Sequence, residues 1–180
     1  MADTQRDLTA ETAGGAPIDA AKGAEIMEKY ENLDNLVLVG IVRRGVYLSD
    51  RLAKILHEKT GRKVAQGTLD ISLYRDDWTT LAAIPELTAS DIPVSIEGKR
   101  VILVDDVLYS GRTVRAALEA LQDYGRSCSI ELLVLVDRGH RELPIYAAYV
   151  GKMVNTAKSE QIDVLLEDLD GIDEVRLLPN

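Results

Sequence analysis

Two neighbouring aspartates, Asp105 and Asp106, follow the apolar run from Val101 to Val104. A continuous run of this length is typical of a strand that is buried on both faces, so the two carboxylates are predicted at its carboxyl end. Adjacent carboxylates repel each other and are costly to bury unless they bind something. They suit the 2- and 3-hydroxyls of a ribose, or a Mg²⁺ ion held directly or through water.

A polar turn with Ser110 and Gly111 follows the aspartates, and a helical pattern of apolar residues begins at Val114. Backbone N–H groups around Gly111, Arg112 and Thr113 would point outward at the start of this helix, where the helix dipole favours an anion. The hydroxyls of Ser110 and Thr113 can donate to phosphate oxygens. The segment therefore predicts a phosphate site, and with the aspartates a site for a ribose 5-phosphate. The alternative is a buried strand followed by a capped helix of no catalytic importance.

A second strand-loop-helix unit places two arginines at the end of another apolar run. Residues 36–41 are predicted to form a buried strand, and a helix is predicted from about Val46 to Lys59. Arg43 and Arg44 lie in the loop between them, beside Gly45. Guanidinium and backbone donors converging in such a loop suit a pyrophosphate. The alternative is a pair of solvated surface arginines.

The size and charge of the chain limit its function. At 180 residues it is predicted to form one domain, and its net charge is −9. Residues 1–35 carry −5 and residues 160–180 carry −6, so the segment between them is about +2. A bulk nucleic-acid binder is normally basic, so the composition argues against one, although a local basic patch in the middle segment stays open.

The cysteine content and the hydrophobic pattern indicate where the protein functions. The single cysteine, Cys128, has no partner for a disulfide within the chain and is interpreted as a structural thiol. No run of 18 apolar residues is present, and the first residues lack the basic and then apolar pattern of a secretory signal. The expectation is a cytoplasmic protein with no membrane partner.

The remaining elements predict an α/β fold. Residues 1–16 are small and polar and are predicted to be a disordered tail, and residues 17–180 form the single domain, with its first helix at about 17–30. Residues 63–74 alternate in their second half, which predicts a strand with Leu69, Ile71 and Leu73 on one face. Further strands are predicted at 130–136, 149–152, 162–166 and 175–178. This alternation of strands and helices favours a mainly parallel sheet.

One stretch lacks clear periodicity. Residues 75–93 contain charges, scattered apolar residues and two prolines. A long segment of this kind in a compact domain is commonly a functional cover or is disordered. It is predicted to be a lid over the site, with Arg75, Asp76 and Asp77 at its hinge.

The segment from Val101 to Leu121 closely resembles the phosphoribosyl pyrophosphate (PRPP) signature of type I phosphoribosyltransferases. Residues 39–48, 69–77 and 136–152 resemble the PyrR-type members of that family, which are regulators of pyrimidine operon attenuation with uracil phosphoribosyltransferase activity. The resemblance runs from about Ile18 to the C-terminus. It implies the type I phosphoribosyltransferase fold, a mainly parallel sheet flanked by helices with a small hood at about 137–159.

The resemblance also implies a reaction, in which uracil displaces pyrophosphate from PRPP to give UMP, with Mg²⁺ as cofactor. It implies catalytic roles for Asp105, Asp106, Arg43 and Arg44, the two aspartates also being the metal ligands. The residues implied to bind PRPP and UMP are Val107, Leu108, Tyr109, Ser110, Gly111, Arg112 and Thr113. Those implied to form the base hood are Asp137, Arg138 and Val154, and those implied to contact a pyrimidine-leader mRNA are Arg138, Arg141, Lys152 and Lys158.

Some residues depart from the family pattern and leave alternatives open. The first helix offers only Lys22 and Lys29 where RNA-binding relatives are rich in arginine, and Tyr146 stands where relatives often have arginine. An enzyme that has lost RNA binding is therefore one alternative. A purine phosphoribosyltransferase is another, although Tyr109 occupies the place where purine relatives often carry a carboxylate. His140 could serve catalysis, RNA binding or a subunit contact, and a homodimer or larger homo-oligomer is expected.

Overall fold

The computed structural model describes residues 6–7, 20–30, 32–75 and 89–179. Its centre is a five-stranded sheet with the strand order β3-β2-β4-β5-β6, and every neighbouring pair is parallel. The strands are β2 (Leu36–Ile41), β3 (Ala65–Leu69), β4 (Arg100–Leu108), β5 (Ser129–Asp137) and β6 (Tyr149–Met153). In a parallel sheet all carboxyl ends lie at one edge, so the residues that follow β2, β4 and β5 are brought together there.

Helices cover both faces of this sheet because its central strands are apolar on both sides. The helices are α1 (Ala20–Lys29), α2 (Arg44–Thr60) and α3 (Arg112–Leu121). One core packs α1 and α2 against side chains such as Leu38 and Ile102, and the other packs α3 against the opposite side chains, such as Val37 and Val101. The predicted α/β class and the buried character of β2 and β4 are confirmed.

A small antiparallel sheet is formed by β1 (Arg6–Asp7), β8 (Glu174–Leu178) and β7 (Gln161–Leu165), with the one-turn helix α4 (Glu167–Asp170) between β7 and β8. The Arg51 guanidinium on α2 donates to Asp168 Oδ2 at 2.6 Å and to Asp173 Oδ1 at 2.8 Å. Part of the acidic C-terminal segment is therefore neutralised within the protein, by basic side chains of the middle segment.

The structure corrects the prediction for residues 63–74. The strand ends at Leu69, a 3₁₀ turn follows at Ser72–Tyr74, and Leu73 is 66% exposed. Asp70 causes this turn because its Oδ1 accepts hydrogen bonds from the Ser72 backbone N–H at 2.8 Å and from the Ser72 hydroxyl at 2.5 Å. Such local bonds offer the backbone an alternative to a sheet ladder.

Two predictions fall mostly on residues outside the described ranges. Of the predicted disordered tail, only Arg6–Asp7 is described, and these two residues pair with Leu177 and Arg176 of β8, so the prediction does not hold for them. Of the predicted lid, residues 76–88 lie outside the described part of the chain. None of the helices that the structure describes is both long and apolar enough to cross a membrane.

Candidate active site

Asp105 and Asp106 belong to the last four residues of β4 before it ends at Leu108, so they are strand residues rather than part of the following loop. Asp105 is buried and Asp106 is half-buried, since neighbouring residues of a strand face opposite sides. The Asp106 backbone N–H donates to Asp105 Oδ1 at 3.0 Å, and the Val107 N–H donates to Asp106 Oδ1 at 2.7 Å. These bonds fix both carboxylates and use one oxygen of each.

The surroundings of Asp105 disfavour the ionised form of its carboxyl group. Burial raises the pKa of Asp105 well above the ordinary carboxyl value, and the neighbouring charge of Asp106 raises it further. The hydrogen bond from the Asp106 backbone N–H acts in the opposite direction. A buried acid beside a second carboxylate is the arrangement that a bound hydroxyl pair or cation would relieve.

The substitution Asp105→Asn is expected to raise the melting temperature of the ligand-free protein at neutral pH. The pKa of Asp105 is raised in the folded state. Its contribution to the free energy of unfolding of the wild type is therefore fully present below the unfolded carboxyl pKa of about 3.9, and is lost as the pH rises through the folded-state value. Asparagine does not titrate, so the difference in melting temperature should widen as the pH rises above about 4 and then become constant. Thermal denaturation from acid to neutral pH measures it, and a gap that stays constant or narrows would contradict the burial of a charged Asp105.

The predicted phosphate loop lies directly after β4. Gly111 has a φ of 92°, a left-handed conformation that favours glycine, and α3 begins at Arg112, two residues before the predicted start. Ser110 Oγ accepts a hydrogen bond from the Arg112 backbone N–H at 3.3 Å. A cavity of about 300 Å³ is lined by residues 107–114 together with Arg75. The backbone N–H groups at the start of a helix point outward and its dipole favours negative charge, so this cavity is suited to an anion.

The two predicted pyrophosphate arginines lie across from this loop. Arg43 and Arg44 line a cleft of about 600 Å³ that Asp105, Asp106 and Thr113 also line. The Val42–Arg43 peptide bond is cis. The Arg44 guanidinium lies 3.3 Å from Asp170 Oδ2, and its buried Nε has no hydrogen-bond partner among the described residues. The sequence predicted these arginines and aspartates at one site, and in the structure all four line the same cleft.

Close backbone packing holds the arginine loop against the aspartate strand. A Cβ added to Gly45 would lie 2.2 Å from the Val104 carbonyl oxygen and 3.3 Å from Asp105 Cα. A Cβ on Gly40 would lie 2.5 Å from Val46 Cα. Gly45 is therefore required by the direct contact between the N-terminus of α2 and β4, and Gly40 by the contact between β2 and the same end of α2.

The predicted base hood begins at the end of β5. Asp137 and Arg138 are both buried, and the Val154 backbone N–H donates to the Asp137 carbonyl oxygen at 2.9 Å, so the three predicted hood residues lie together. The Arg138 guanidinium lies over the Tyr109 ring at 4.3 Å and donates to Thr156 Oγ1 at 3.2 Å. Tyr109, from the phosphate loop, thus packs against the hood.

His140 is held in the same region. It has a φ of 60°, and its Nε2 lies 2.6 Å from the Thr156 carbonyl oxygen. Its ring also contacts Tyr109 edge to face, at a centroid distance of 6.1 Å. These contacts give His140 a structural position within the hood.

The predicted RNA contacts divide into two groups. Arg138 is 6% exposed, the side chain of Arg141 is 15% exposed, and the guanidinium groups of both form bonds within the protein. Lys152 is half-buried and Lys158 is exposed. The lysines of α1 are paired with acids, Lys22 with Glu25 and Lys29 with Glu131, each at 2.6 Å.

Sequence reasoning missed some residues at this site. Asp70 and Ser72, from the turn after β3, line the same cleft as the aspartates, and the structural role of Arg141 was not predicted. The position of Asp70 at the carboxyl end of a parallel strand was the available signal, because ligand sites collect at that edge. Of the partners that the structure describes for the Arg141 guanidinium, only the Tyr109 carbonyl oxygen is distant in the chain, and nothing in the sequence around Arg141 indicated that contact.

The donor set at the aspartates is compatible with Mg²⁺. Within the described residues no group of three or more histidine, cysteine or acidic side chains is placed to hold a metal ion. Mg²⁺, however, is commonly held by one or two carboxylates together with water and substrate phosphates. Asp105 and Asp106 each keep one oxygen that accepts no bond from the backbone N–H groups described above. The two carboxylates therefore fit an ion whose other ligands come with the substrate.

Comparison with known proteins places the chain among the phosphoribosyltransferases. Residues 16–167 match the family model for the phosphoribosyl transferase domain. The bifunctional protein PyrR of Pelotomaculum thermopropionicum is 55% identical over 154 residues, covering 86% of this chain and 85% of the relative. The bifunctional protein PyrR of Enterococcus faecalis strain V583 is 55% identical over 153 residues, covering 85% of each chain.

Solved structures agree with this fold. A hypoxanthine phosphoribosyltransferase from Staphylococcus aureus has a TM-score of 0.65 at 21% identity, covering 99% of this chain and 92% of that one. The hypoxanthine phosphoribosyltransferase of Trypanosoma cruzi, in a ternary substrate complex, has a TM-score of 0.68 at 21% identity, covering 91% and 89%. At this identity the structures show the type I phosphoribosyltransferase fold alone. Together with the family model and the close relatives, they establish that this chain belongs to the PyrR family of phosphoribosyltransferases.

Proposed function

We propose that this protein transfers ribose 5-phosphate from PRPP to uracil, giving UMP and pyrophosphate. The observation that carries the proposal is that two adjacent cavities, which share Arg75, Val107 and Thr113, offer matched groups to both ends of the sugar. Carboxylates that suit ribose hydroxyls lie at one end, and helix N–H groups that suit a phosphate lie at the other. The PyrR relatives at 55% identity support uracil as the base.

The groups of the cleft can act on the charges that develop during the transfer. As the bond between C1 and pyrophosphate breaks and the bond from uracil N1 forms, positive charge develops on the sugar and negative charge on the leaving group. Arg43 and Arg44 would hold the departing pyrophosphate, because preorganised cations stabilise developing negative charge. Asp105 and Asp106 would anchor the ribose hydroxyls. Mg²⁺, held by the same two aspartates, would supply further neutralisation of the pyrophosphate charge.

The base would lie against the hood, near Asp137, Arg138 and Val154. Tyr109 favours a pyrimidine, because it has no carboxylate to offer a purine ring, and the Arg138 guanidinium against its ring holds it in place. An assay of pyrophosphate release from PRPP with uracil, hypoxanthine and guanine tests the proposal. We expect turnover with uracil, and turnover with the purines alone would replace the assignment with a purine phosphoribosyltransferase.

A second role, binding of a pyrimidine-leader mRNA hairpin in transcription attenuation, is supported by the close relatives, which are named as bifunctional proteins. Because the guanidinium groups of Arg138 and Arg141 already bond within the protein, we propose that Lys152 and Lys158 bind the RNA phosphates on this side of the protein. A gel-shift titration at several salt concentrations, with and without UMP, tests this role. The titration gives the slope of the logarithm of the binding constant against the logarithm of the salt concentration. In a Lys152→Gln, Lys158→Gln variant the magnitude of this slope should fall by roughly one for each phosphate that a lysine no longer neutralises. Absence of binding at low salt would leave an enzyme without RNA binding.

We also propose that the protein assembles into a homodimer or a larger homo-oligomer. The side chain of Tyr146 is 79% exposed beside the apolar groove that contains Ile130 and Leu118. Analytical ultracentrifugation of the wild type and a Tyr146→Glu variant tests this. We expect the charge to weaken the assembly, and a wild-type monomer at micromolar concentration would refute it.

A further inference from the structure

All three guanidinium nitrogens of Arg141 donate to partners within the protein. Its Nε donates to the Ile145 carbonyl oxygen at 2.9 Å, and its Nη1 donates to the Tyr109 carbonyl oxygen at 2.9 Å and to the Gly139 carbonyl oxygen at 3.2 Å. Its Nη2 forms an ion pair with Asp137 Oδ2. The side chains of the pair are 15% and 10% exposed, so water contributes little to their solvation.

These partners belong to different parts of the site. Tyr109 is a residue of the phosphate loop, and Asp137 begins the base hood at the end of β5. The other oxygen of Asp137, Oδ1, accepts from the Gly139 backbone N–H at 3.0 Å, so the carboxylate is fully oriented. Arg141 is thus bonded to both the phosphate end and the base end of the cleft.

The segment that follows Arg141 supports the phosphate loop from behind. The backbone N–H groups of Glu142 and Leu143 donate to the Ser110 carbonyl oxygen at 2.9 Å and 3.1 Å. A Cβ added to Gly111 would lie 3.3 Å from Ile145 Cβ, so this segment packs on the turn that begins α3. The Arg141 bond to the Ile145 carbonyl oxygen closes the segment on itself.

The geometry requires an arginine. A guanidinium is planar and donates in several fixed directions, whereas a lysine ammonium is a compact charge on a flexible chain. Lysine at this position can keep the ion pair with Asp137, but it cannot also reach the Tyr109 and Ile145 carbonyl oxygens in the same plane. Removing the charge altogether would leave the buried Asp137 carboxylate without a counterion, which is strongly destabilising.

We propose that Arg141 is a positioning residue that fixes the phosphate loop and the base hood relative to each other. A change at either end then alters ligand affinity at the other. The inference rests on the proposed function, because it concerns ligands with a ribose 5-phosphate. It assigns to Arg141 a task inside the enzyme rather than on an RNA-binding surface.

The test measures the dissociation constants of ribose 5-phosphate and of UMP by calorimetry, on the full chain, for the wild type and for Arg141→Lys. Ribose 5-phosphate has no base, so it reports on the phosphate and ribose sites without the base hood. We expect both ligands to bind at least tenfold more weakly to Arg141→Lys, at a temperature where circular dichroism shows the variant folded. A purely structural role would lower the melting temperature and leave both constants unchanged, and that result would overturn the inference.

Asp137→Asn supplies an independent variant of similar shape, which serves equally if Arg141→Lys does not fold. It alters the base end, yet we expect it to weaken ribose 5-phosphate binding through the loosened Arg141. The matched control is Arg62→Lys, the same substitution at an arginine whose side chain is 55% exposed and which lies 3.4 Å from Asp34. We expect no change there in either constant.

The outcomes separate the inference from the proposed function. If the wild type binds neither ribose 5-phosphate nor UMP, the proposed function fails and the inference fails with it. If the wild type binds both, but Arg141→Lys and Asp137→Asn bind ribose 5-phosphate as tightly as the wild type, only the inference fails. Weaker RNA binding by Arg141→Lys, with unchanged ligand constants, would likewise overturn the inference and make Arg141 an RNA contact.

Discussion

Replacing Asp105 and Asp106 together by asparagine is expected to reduce uracil-dependent turnover of PRPP by about 10³-fold, since a single oriented donor or charge at a reacting centre commonly contributes 10²–10³. The double substitution preserves the shape of the strand end and keeps an oxygen for each backbone N–H bond now made by the carboxylates. It removes both negative charges, so neither the ribose hydroxyls nor a cation can be held in the same way.

The measurement is the rate of pyrophosphate release at saturating uracil over a range of PRPP concentrations. The matched control is Asp50→Asn on α2, since Asp50 is exposed, accepts a hydrogen bond from Gln66 Nε2 and does not line the cleft of Asp105 and Asp106. We expect that control to keep the wild-type rate. Unchanged turnover in the double variant would mean that the sugar is bound elsewhere.

Gly45→Ala is expected to have the next largest effect, because its new methyl group would lie 2.2 Å from the Val104 carbonyl oxygen. The atom in the way belongs to the backbone of a buried strand, so α2 or β4 must shift. Overpacking of this kind commonly destabilises a protein by about 1–3 kcal/mol. The shift also separates the arginine loop from Asp105, and a misplacement of about 1 Å can cost roughly 10²-fold in rate.

Urea denaturation and steady-state kinetics measure these two consequences for Gly45→Ala. The control is Ser49→Ala, one turn further along the same helix. Ser49 is 2% exposed, and its hydroxyl has no hydrogen-bond partner among the described residues. Removal of an unsatisfied buried hydroxyl is expected to leave stability unchanged or raised. Wild-type activity and stability in Gly45→Ala would show that the contact between α2 and β4 is unimportant.

The aspartate pair lowers the stability of the fold and is the part of the site proposed to bind the ligand. Burial and the adjacent charge raise the pKa of Asp105 and disfavour its ionised form, and the same features suit it to a ligand that supplies hydroxyls or a cation. The asparagine substitution at Asp105 is therefore expected to stabilise the fold, while the double substitution removes the activity. Opposite effects on stability and on rate would be characteristic of a functional rather than a structural carboxylate.

Much of the fold follows from the sequence because its signals are local. The apolar runs of β2, β4 and β5 are buried on both faces of the sheet, and Gly111 marks the turn at which α3 begins. The rule that ligands collect at the carboxyl ends of parallel strands then brings Arg43 and Asp105 to one cleft. The structure has the strands and loops of the site within a few residues of the predicted positions.

The features that could not be predicted depend on which hydrogen bonds the polar side chains form in the folded protein. Alternation in 69–73 indicated a strand, but the Asp70 side chain turns the backbone at Ser72. Arg138 and Arg141 have the composition of a basic surface, and only the positions of Tyr109, Thr156 and Asp137 show that both guanidinium groups bond within the protein. The presence of an arginine in the sequence therefore does not show whether its guanidinium group binds RNA or another part of the protein.

The central claim is that one cleft binds both ends of a ribose 5-phosphate. A crystal structure of the protein with UMP tests it most directly. We expect the ribose hydroxyls within hydrogen-bond distance of Asp105 or Asp106, and the 5-phosphate on the backbone N–H groups of residues 110–113. A nucleotide bound with its phosphate or its ribose away from the end of β4 and the start of α3 would contradict the account.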